Sequence, residues 1–267
     1  MTNPSSRYGK AKLVLFDLDG TLYLDGVPYP GAIELFQRLQ KSDMTPLFLT
    51  NNSSMPPCDN VERLRRIGFP ATPENVITSG HGTVAMLRAY GMRGKRLYIL
   101  GTKRFRAWMA SEGFPHEEED PQALLVAFDK ELDYAKLHAA TRLVLKGVPV
   151  FATHPDPVCP PNLPDVGMYL ECLKAARPGV VIQAIAGKPH KWLCQVLQER
   201  FQATPGEMVM VGDRLDTDIA FACNNGMRSV LVRNGEPMPP EGLYRPTVVV
   251  PHIRQMMDEF WPRNLGW

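Results

Sequence analysis

The sequence lacks the features that mark secreted, membrane-spanning and disulfide-stabilised proteins. Its five cysteines are odd in number, scattered and without a CxxC pair, which indicates reduced thiols and excludes a disulfide framework or a zinc site. No window approaches the roughly 20 apolar residues of a membrane span. The first ten residues, MTNPSSRYGK, contain no apolar run of the kind found in signal peptides. We therefore expect a cytoplasmic protein with no membrane partner.

Charge of either sign is not in excess. The chain has 30 Lys and Arg residues against 28 Asp and Glu residues, a net charge of +2, which gives no indication of a nucleic-acid partner. No internal repeat or low-complexity tract is evident. The 267 residues, 44% of them hydrophobic, are enough for one large domain or two modest ones with an ample core.

What the sequence does contain is a short apolar run that stops at two acidic residues. Residues 13–23 read LVLFDLDGTLY, so four apolar residues lead directly to Asp17, and Asp19 follows. Such a run is typical of a buried strand in a parallel sheet, where ligands bind beyond the carboxyl ends of the strands. The spacing predicts that both carboxylates point the same way. Charges so close require a cation or a shared proton, although the run alone also fits a polar turn.

Strands and helices alternate along the chain. The pattern predicts a helix over 30–41, a strand over 45–50 and a helix over 59–67. Later, the acidic stretch RLDTDI, residues 214–219, is expected to be a loop that enters a helix reaching about residue 225. Alternation of this kind predicts a parallel sheet wound in right-handed βαβ units.

The middle of the chain repeats the alternation independently. Residues 79–184 contain their own strand–helix units, including a helix predicted over 170–176, and these could cover a core of their own. We therefore expect an α/β core, residues 1–78 and 185–267, with residues 79–184 inserted in it as a second α/β domain.

Polar side chains follow the predicted strands at four points, which a doubly wound sheet brings to one edge. They are Asp17 and Asp19; Thr50, Asn51 and Asn52; Lys188; and Asp213, Asp216 and Asp218. The aspartates supply hard oxygen ligands suited to Mg²⁺. The Thr50 hydroxyl and the Lys188 ammonium are donors for a phosphate. Since an aspartate can also attack phosphorus, the set supports phosphoryl transfer.

Four of these stretches, FDLDGTLY, LFLTNNSS, GKP and VGDRLDTDI, resemble the four ordered motifs of the haloacid dehalogenase (HAD) superfamily. The resemblance covers nearly the whole chain. It implies a Rossmann-like core, a parallel sheet with helices on both faces, and an inserted α/β cap.

The resemblance also implies residue roles. Asp17 would be the nucleophile and Asp19 the general acid and base. Asp17, Asp213 and the backbone carbonyl of Asp19 would bind Mg²⁺, with Asp218 supporting the metal from behind. Thr50 would hold the phosphoryl group, and Lys188 would stabilise both that group and Asp17. The role of Asp216 stays open.

Spacing selects a branch of this superfamily. The long insert lies between Thr50 and Lys188, which resembles the subfamily IIA phosphatases, relatives of para-nitrophenyl phosphatase and phosphoglycolate phosphatase. Their doubled asparagine is present as Asn51 and Asn52, which we count with the substrate-binding residues. Many relatives have Asn-Pro-Asp in the cap, where this chain has His154-Pro155-Asp156. His154 could contact the substrate or close a cap turn, and Asp129 could cap a helix.

The expected function is hydrolysis of small phosphomonoesters, such as a sugar phosphate, a nucleotide or phosphoglycolate, with Mg²⁺ and an aspartyl-phosphate intermediate. A homodimer through the cap is the expected assembly. Two alternatives remain: a phosphotransferase or mutase on the same scaffold, and a non-catalytic module that responds to phosphate. Asp19 and the large cap favour the phosphatase, because a simple switch requires neither.

Overall fold

The apolar run before Asp17 forms a strand, as predicted. This strand, β1 (Leu13–Phe16), is buried at all four positions. Leu15 lies beside Leu47 on one side and Met210 on the other, and both pairings are parallel. The N-terminal and C-terminal parts of the chain therefore meet in one sheet.

The structure, a computed structural model, describes residues 11–160, 162–237 and 242–260. These form two compact units: the described parts of 1–49, 61–77 and 197–267 make the first, and 50–60 with 78–196 make the second. None of the helices in these described ranges is long and apolar enough to cross a bilayer.

The elements follow one another in strand–helix alternation. The first part of the chain forms β1, β2 (Tyr23–Leu24), β3 (Val27–Pro28), α1 (Ala32–Gln40), β4 (Thr45–Thr50), α2 (Pro57–Ile67) and β5 (Val76–Thr78). The middle part forms α3 (Ser79–Ala89), β6 (Leu97–Leu100), α4 (Lys103–Ser111), β7 (Ala123–Val126), α5 (Tyr134–Lys146), β8 (Val150–Ala152), β9 (Val158–Cys159), β10 (Leu163–Pro164), α6 (Val166–Ala176) and β11 (Ile182–Ile185). The last part forms α7 (Trp192–Phe201), β12 (Met208–Gly212), α8 (Ala220–Asn225), β13 (Arg228–Val232), β14 (Val248–Val250) and α9 (Met256–Phe260).

The sheet of the first unit has the strand order β14-β13-β12-β1-β4-β5. Strand β1 is parallel to β4 and β12, and β12, β13 and β14 are parallel to one another. The carboxyl ends of these strands therefore share one edge. Asp17 continues this edge from β1, because its N–H donates to the carbonyl of Val211 in β12 at 2.9 Å.

Aromatic packing fixes β1 and β4 beneath helix α1. Phe36 of α1 stacks on Phe48 of β4 with ring centroids 4.0 Å apart, and Phe16 of β1 lies 5.9 Å from Phe36. All three side chains are fully buried, and each such burial stabilises the fold by about 1.5–3 kcal/mol. The position at which β1 ends, and with it the position of Asp17, is set by this packing.

The sheet of the second unit has the order β11-β8-β7-β6, with every pairing parallel. Along β7, Leu124 and Val126 pack in one buried cluster and Leu125 in another. Alternate residues of a strand point to opposite faces, so this sheet is covered on both faces. The predicted α/β fold, with a second α/β region in the middle of the chain, is confirmed.

Two segments differ from the sequence prediction for local reasons. Helix α6 begins at Val166, four positions before residue 170, because the carboxylate of Asp165 accepts a hydrogen bond from the Val166 N–H at 2.7 Å and caps the earlier turn. The acidic stretch after β12 is not a loop: Leu215–Ile219 is a turn of π-helix that continues into α8. Such wide turns are frequent at functional sites, and this one carries Asp218.

Candidate active site

Three carboxylates converge at the carboxyl edge of the first unit's sheet. Asp17 follows β1, Asp213 follows β12 and Asp218 lies in the π-helical turn, and each offers an oxygen within 4.8 Å of the other two. Asp218 is buried, whereas Asp17 and Asp213 are half-buried. Like charges at this spacing repel one another strongly unless a cation lies among them. The donor set, hard oxygen from one fully and two partly buried aspartates, fits a divalent cation such as Mg²⁺.

Two glycines let the backbone come close to these carboxylates. Gly20 has a φ of +87°, and a Cβ atom there would collide with the carboxylate of Asp213. A Cβ atom at Gly212 would collide with the side chain of Asp218. The left-handed conformation of Gly20 is costly for any residue with a side chain. The acidic cluster is therefore packed against bare backbone on two sides.

Replacing Gly20 with Ala is expected to damage the acidic cluster beyond its effect on the backbone. The left-handed φ costs about 1–2 kcal/mol, and the new methyl group must also displace Asp213. Gly226→Ala is the matched control, because Gly226 has a φ of +74° and open space around it. Thermal unfolding should show the backbone penalty in both variants and a larger total loss in Gly20→Ala, where the methyl group also meets Asp213. Only Gly20→Ala should lose the stabilisation by added Mg²⁺; an equal Mg²⁺ response in both would contradict this prediction.

Polar contacts fix the loop that follows Asp19. The Thr21 hydroxyl donates to Asp213 Oδ1 at 2.7 Å. Asn234, which follows β13, donates from Nδ2 to the carbonyls of Gly20 and Thr21 at 2.9 Å each. These hydrogen bonds connect the loop after β1 to the segments that follow β12 and β13. The hydrogen bond from Thr21 also orients the carboxylate of Asp213.

The other acidic residues after β12 separate into two environments. Asp218 Oδ2 accepts a hydrogen bond from the Arg214 N–H at 3.2 Å, so it closes the turn while it faces the cluster. Asp216 instead pairs with the Arg214 guanidinium at 3.1 Å, with 71% of its side chain exposed. Its carboxylate is not among the three that converge.

Asp19 lies outside the acidic cluster and has partners of its own. Its Oδ1 accepts from Arg63 Nη2 at 2.9 Å, and its Oδ2 accepts from the Tyr23 hydroxyl at 3.3 Å. Burial, and then the negative charge of Asp19, raise the pKa of Tyr23 far above its usual value. Tyr23 therefore stays protonated and acts as a hydrogen-bond donor. The roles predicted for Asp19, proton transfer by its side chain and metal binding by its backbone carbonyl, stay predictions.

The residues predicted to bind phosphate occur together in the second unit. Thr50 Oγ1 accepts from the Asn52 N–H at 3.1 Å, and Asn52 Oδ1 accepts from the N–H and hydroxyl of Ser54 at 2.9 and 2.7 Å. These contacts form a tight turn directly after β4. The turn orients the Thr50 hydroxyl and the neighbouring backbone.

Asn51 joins this turn to Lys188. Its Oδ1 accepts from the Lys188 N–H at 2.8 Å, and its Nδ2 donates to the Lys188 carbonyl at 3.0 Å and to Asp156 at 2.7 Å. Lys188 is only 2% exposed. Asn51 thus holds the backbone of a buried lysine, which is a different task from the substrate contact predicted for it.

The two cap residues of uncertain role are buried in hydrogen-bond networks. His154 is fully buried, with Nε2 3.0 Å from Asp165 and Nδ1 3.0 Å from the Thr153 hydroxyl. Asp129 accepts from the Glu131 N–H at 2.8 Å and pairs with Lys136 at 2.9 Å. The placement of His154 favours the closing of a cap turn over substrate binding, and Asp129 caps a turn.

Sequence reasoning missed four residues around the acidic centre. Thr21 lies within the DGT stretch and Asn234 within an Asn-Gly pair after a strand, so both carried a local signal. Tyr23 and Arg63 had none, since an aromatic residue in an apolar run and an arginine on an amphipathic helix usually serve packing and solubility.

The fold and the acidic cluster together are typical of α/β enzymes that carry their functional residues at the carboxyl edge of the sheet, and the three carboxylates are of the kind that suits a divalent cation. The family model "Haloacid dehalogenase-like hydrolase" matches residues 14–115, and the model "HAD-hydrolase-like" matches residues 185–256. The chain therefore belongs to the haloacid dehalogenase-like hydrolases. The resemblance stated from the motifs is confirmed.

Proteins named as phosphatases are among those similar to this chain. Glycerol-3-phosphate phosphatase from Gallus gallus is 30% identical over 249 residues, which are 83% of this chain and 79% of the relative. The structure of 4-nitrophenylphosphatase from Thermotoga maritima is 34% identical with a TM-score of 0.87, covering 94% of this chain and 97% of that one. Glycerol phosphate phosphatase from Mycobacterium tuberculosis, in complex with calcium, is 27% identical with a TM-score of 0.80, covering 94% and 76%. The predicted class, a phosphatase of this family, is confirmed.

Proposed function

We propose that this protein is a Mg²⁺-dependent phosphatase that cleaves small phosphomonoesters through an aspartyl-phosphate on Asp17. The observation that carries the proposal is the convergence of Asp17, Asp213 and Asp218 within 4.8 Å at the sheet edge. These three residues, with the backbone carbonyl of Asp19, would hold the Mg²⁺. When bound, the ion neutralises charge on the carboxylates and on the phosphate, which otherwise repel each other.

The residues of the chain divide the reaction into two displacements. In the first, a carboxylate oxygen of Asp17 forms a bond to phosphorus while the ester bond breaks, and Asp19 gives its proton to the departing alcohol oxygen. In the second, Asp19 takes a proton from water as the water oxygen attacks phosphorus. The bond between the Asp17 carboxylate oxygen and phosphorus breaks, which frees Asp17 and releases inorganic phosphate. One ester and one water give one alcohol and one phosphate.

Thr50 and Lys188 are the proposed phosphate-binding residues. A hydroxyl and a buried ammonium are strong donors to phosphoryl oxygens, and Asn51 fixes the Lys188 backbone through two hydrogen bonds. We also propose residues 1–78 and 185–267 as the catalytic core and 79–184 as the cap. The segments 50–60 and 185–196, which belong to the second compact unit, are assigned to the core because they carry these motif residues.

The substrate class is a small phosphomonoester, such as a sugar phosphate, a nucleotide or phosphoglycolate. The names of the relatives support this proposal, since two of them act on glycerol phosphate and one on 4-nitrophenyl phosphate. The calcium in one related structure supports a divalent cation. A protonated acid next to the ester oxygen assists the departure of a basic alkoxide, and a weakly basic nitrophenolate leaves without it, so one site can serve both kinds of ester.

Phosphate release from p-nitrophenyl phosphate and a panel of small phosphomonoesters tests the proposal. With Mg²⁺ we expect turnover; excess chelator should lower it more than about tenfold, because without the ion the negative charges of the carboxylates and the phosphate repel each other. Asp213→Asn should lower turnover to a similar extent at saturating substrate and should weaken the thermal stabilisation by Mg²⁺. Turnover that is equal with Mg²⁺ and chelator would contradict the metal requirement. Transfer of the phosphoryl group to an added alcohol instead of water would favour the phosphotransferase alternative.

A further inference from the structure

The carboxylate of Asp19 is held from two directions, one donor to each oxygen. Arg63, on helix α2, donates to Oδ1 at 2.9 Å, and the Tyr23 hydroxyl donates to Oδ2 at 3.3 Å. We propose that Arg63 and Tyr23 are positioning residues that fix this carboxylate for both of its proton transfers. The inference rests on the proposed function, because it concerns the step assigned to Asp19.

The two donors are themselves fixed in place. The guanidinium of Arg63 lies over the Tyr23 ring, 5.2 Å from its centroid. Tyr23 is fully buried, its ring packs 6.3 Å from that of Phe69, and its carbonyl accepts the Gly20 N–H at 2.8 Å. A buried ring with backbone contacts on one side and a cation on the other has little freedom. Arg63, Tyr23 and Asp19 therefore form one rigid group, the Asp19 clamp.

The chemistry of the donors suits positioning and not proton transfer. A guanidinium stays protonated at any working pH, so Arg63 holds the carboxylate without itself taking up or releasing a proton. A carboxylate offers about four acceptor positions, so the two donors leave free lone pairs on Asp19 for the proton it carries. Small displacements of a proton donor cost up to about 10²-fold in rate, which is the scale on which the clamp should act.

The contribution of the clamp to folding is small by comparison. The side chains of Arg63 and Asp19 are 29% and 26% exposed, and solvent screening leaves ion pairs of this kind with little net effect on stability. Removal of the guanidinium should therefore lower kcat clearly while it changes the thermal stability little. This separates the clamp from an ordinary structural contact.

A double-mutant cycle tests whether Arg63 acts through Asp19. The four full-length proteins are the wild type, Arg63→Met, Asp19→Asn and the double variant, assayed with Mg²⁺ and p-nitrophenyl phosphate. Arg63→Met should lower kcat about tenfold or more, with KM changed less than about threefold. In the Asp19→Asn background the same substitution should change kcat less than about twofold, because the residue it positions has already lost its function.

Three single variants complete the test. Arg63→Lys keeps the charge and should recover part of the loss, and Tyr23→Phe, which removes one donor, should give a smaller loss than Arg63→Met. Arg66→Met is the matched control: Arg66 is exposed on the same helix, and its Nε donates to the Glu62 carbonyl of that helix at 3.4 Å. It should behave as the wild type.

Two results would overturn the inference while leaving the proposed function intact: a wild-type kcat in Arg63→Met, or an equal loss in both backgrounds of the cycle. A fall in thermal stability that accounts for the loss would also overturn it, because the contact would then be structural. If the wild type releases no phosphate from any substrate, the proposed function fails, and the inference fails with it.

Discussion

Asp17→Asn is expected to lower phosphate release by about 10⁴-fold or more. The amide has the shape of the carboxylate but no negative oxygen to attack phosphorus, so the covalent step is lost. The fold should be retained, and without added metal the melting temperature should not fall below that of the wild type. The reason is that Asp17, Asp213 and Asp218 crowd within 4.8 Å, and removal of one charge relieves repulsion.

Steady-state turnover and thermal unfolding with and without Mg²⁺ check this prediction. Asp43→Asn provides the matched control: Asp43 is exposed just before β4, at the opposite end of that strand from the site. It should keep wild-type turnover and the wild-type response to Mg²⁺. If Asp17→Asn retained a tenth of the wild-type rate, Asp17 could not be the nucleophile.

The second large effect is expected for Asp19→Asn, with a loss of kcat of about 10³-fold and a characteristic time course. With p-nitrophenyl phosphate, one nitrophenolate per enzyme should be released quickly, because this weakly basic leaving group departs without a proton. Later turnovers should be slow, because no carboxylate removes a proton from the attacking water. Covalent phosphate should therefore accumulate on Asp17.

Rapid mixing and intact-protein mass measurement after acid quenching check this result. With glycerol 3-phosphate as substrate the burst should be absent, since an alkoxide needs the proton that the amide cannot supply. A linear time course at the wild-type rate would contradict the assignment of Asp19 as the general acid and base. A burst of equal size with both substrates would mean that Asp19 acts on the water but not on the departing oxygen.

The parts of this fold that the sequence predicted are those with strong local patterns. Four apolar residues before Asp17 predict a buried strand of a parallel sheet, and β1 pairs in parallel with both β4 and β12. Asp17 and Asp213 were identified for the same reason: each directly follows such a strand. Helix ends were less predictable, as the start of α6 shows, because one capping carboxylate moved it by a turn.

The contacts that the sequence could not predict join residues far apart in the chain. Arg63 reaches Asp19 across 44 positions, and no local pattern distinguishes such a residue. Asn234 reaches Gly20 across 214 positions; its Asn-Gly pair indicates a turn but not the partner of the side chain. For His154 the difficulty was different, because the residue stands at a motif position but its surroundings could not be predicted. The sequence left two roles open for this histidine, substrate contact or closure of a cap turn, and its burial beside Asp165 and Thr153 depends on the packing of the surrounding domain.

The division of the chain into units has a consequence for the order in which the protein folds. The second unit is nearly continuous, residues 50–60 and 78–196, whereas the first is assembled from three separate stretches. Contacts close in sequence form early, and long-range strand pairing is slow. Thr21 and Asp213 bond across 192 positions, so the acidic centre cannot form until the stretch that carries Asp213 has left the ribosome. Asp17 is synthesised well before Asp213 and Asp218, which become its neighbours in the folded protein.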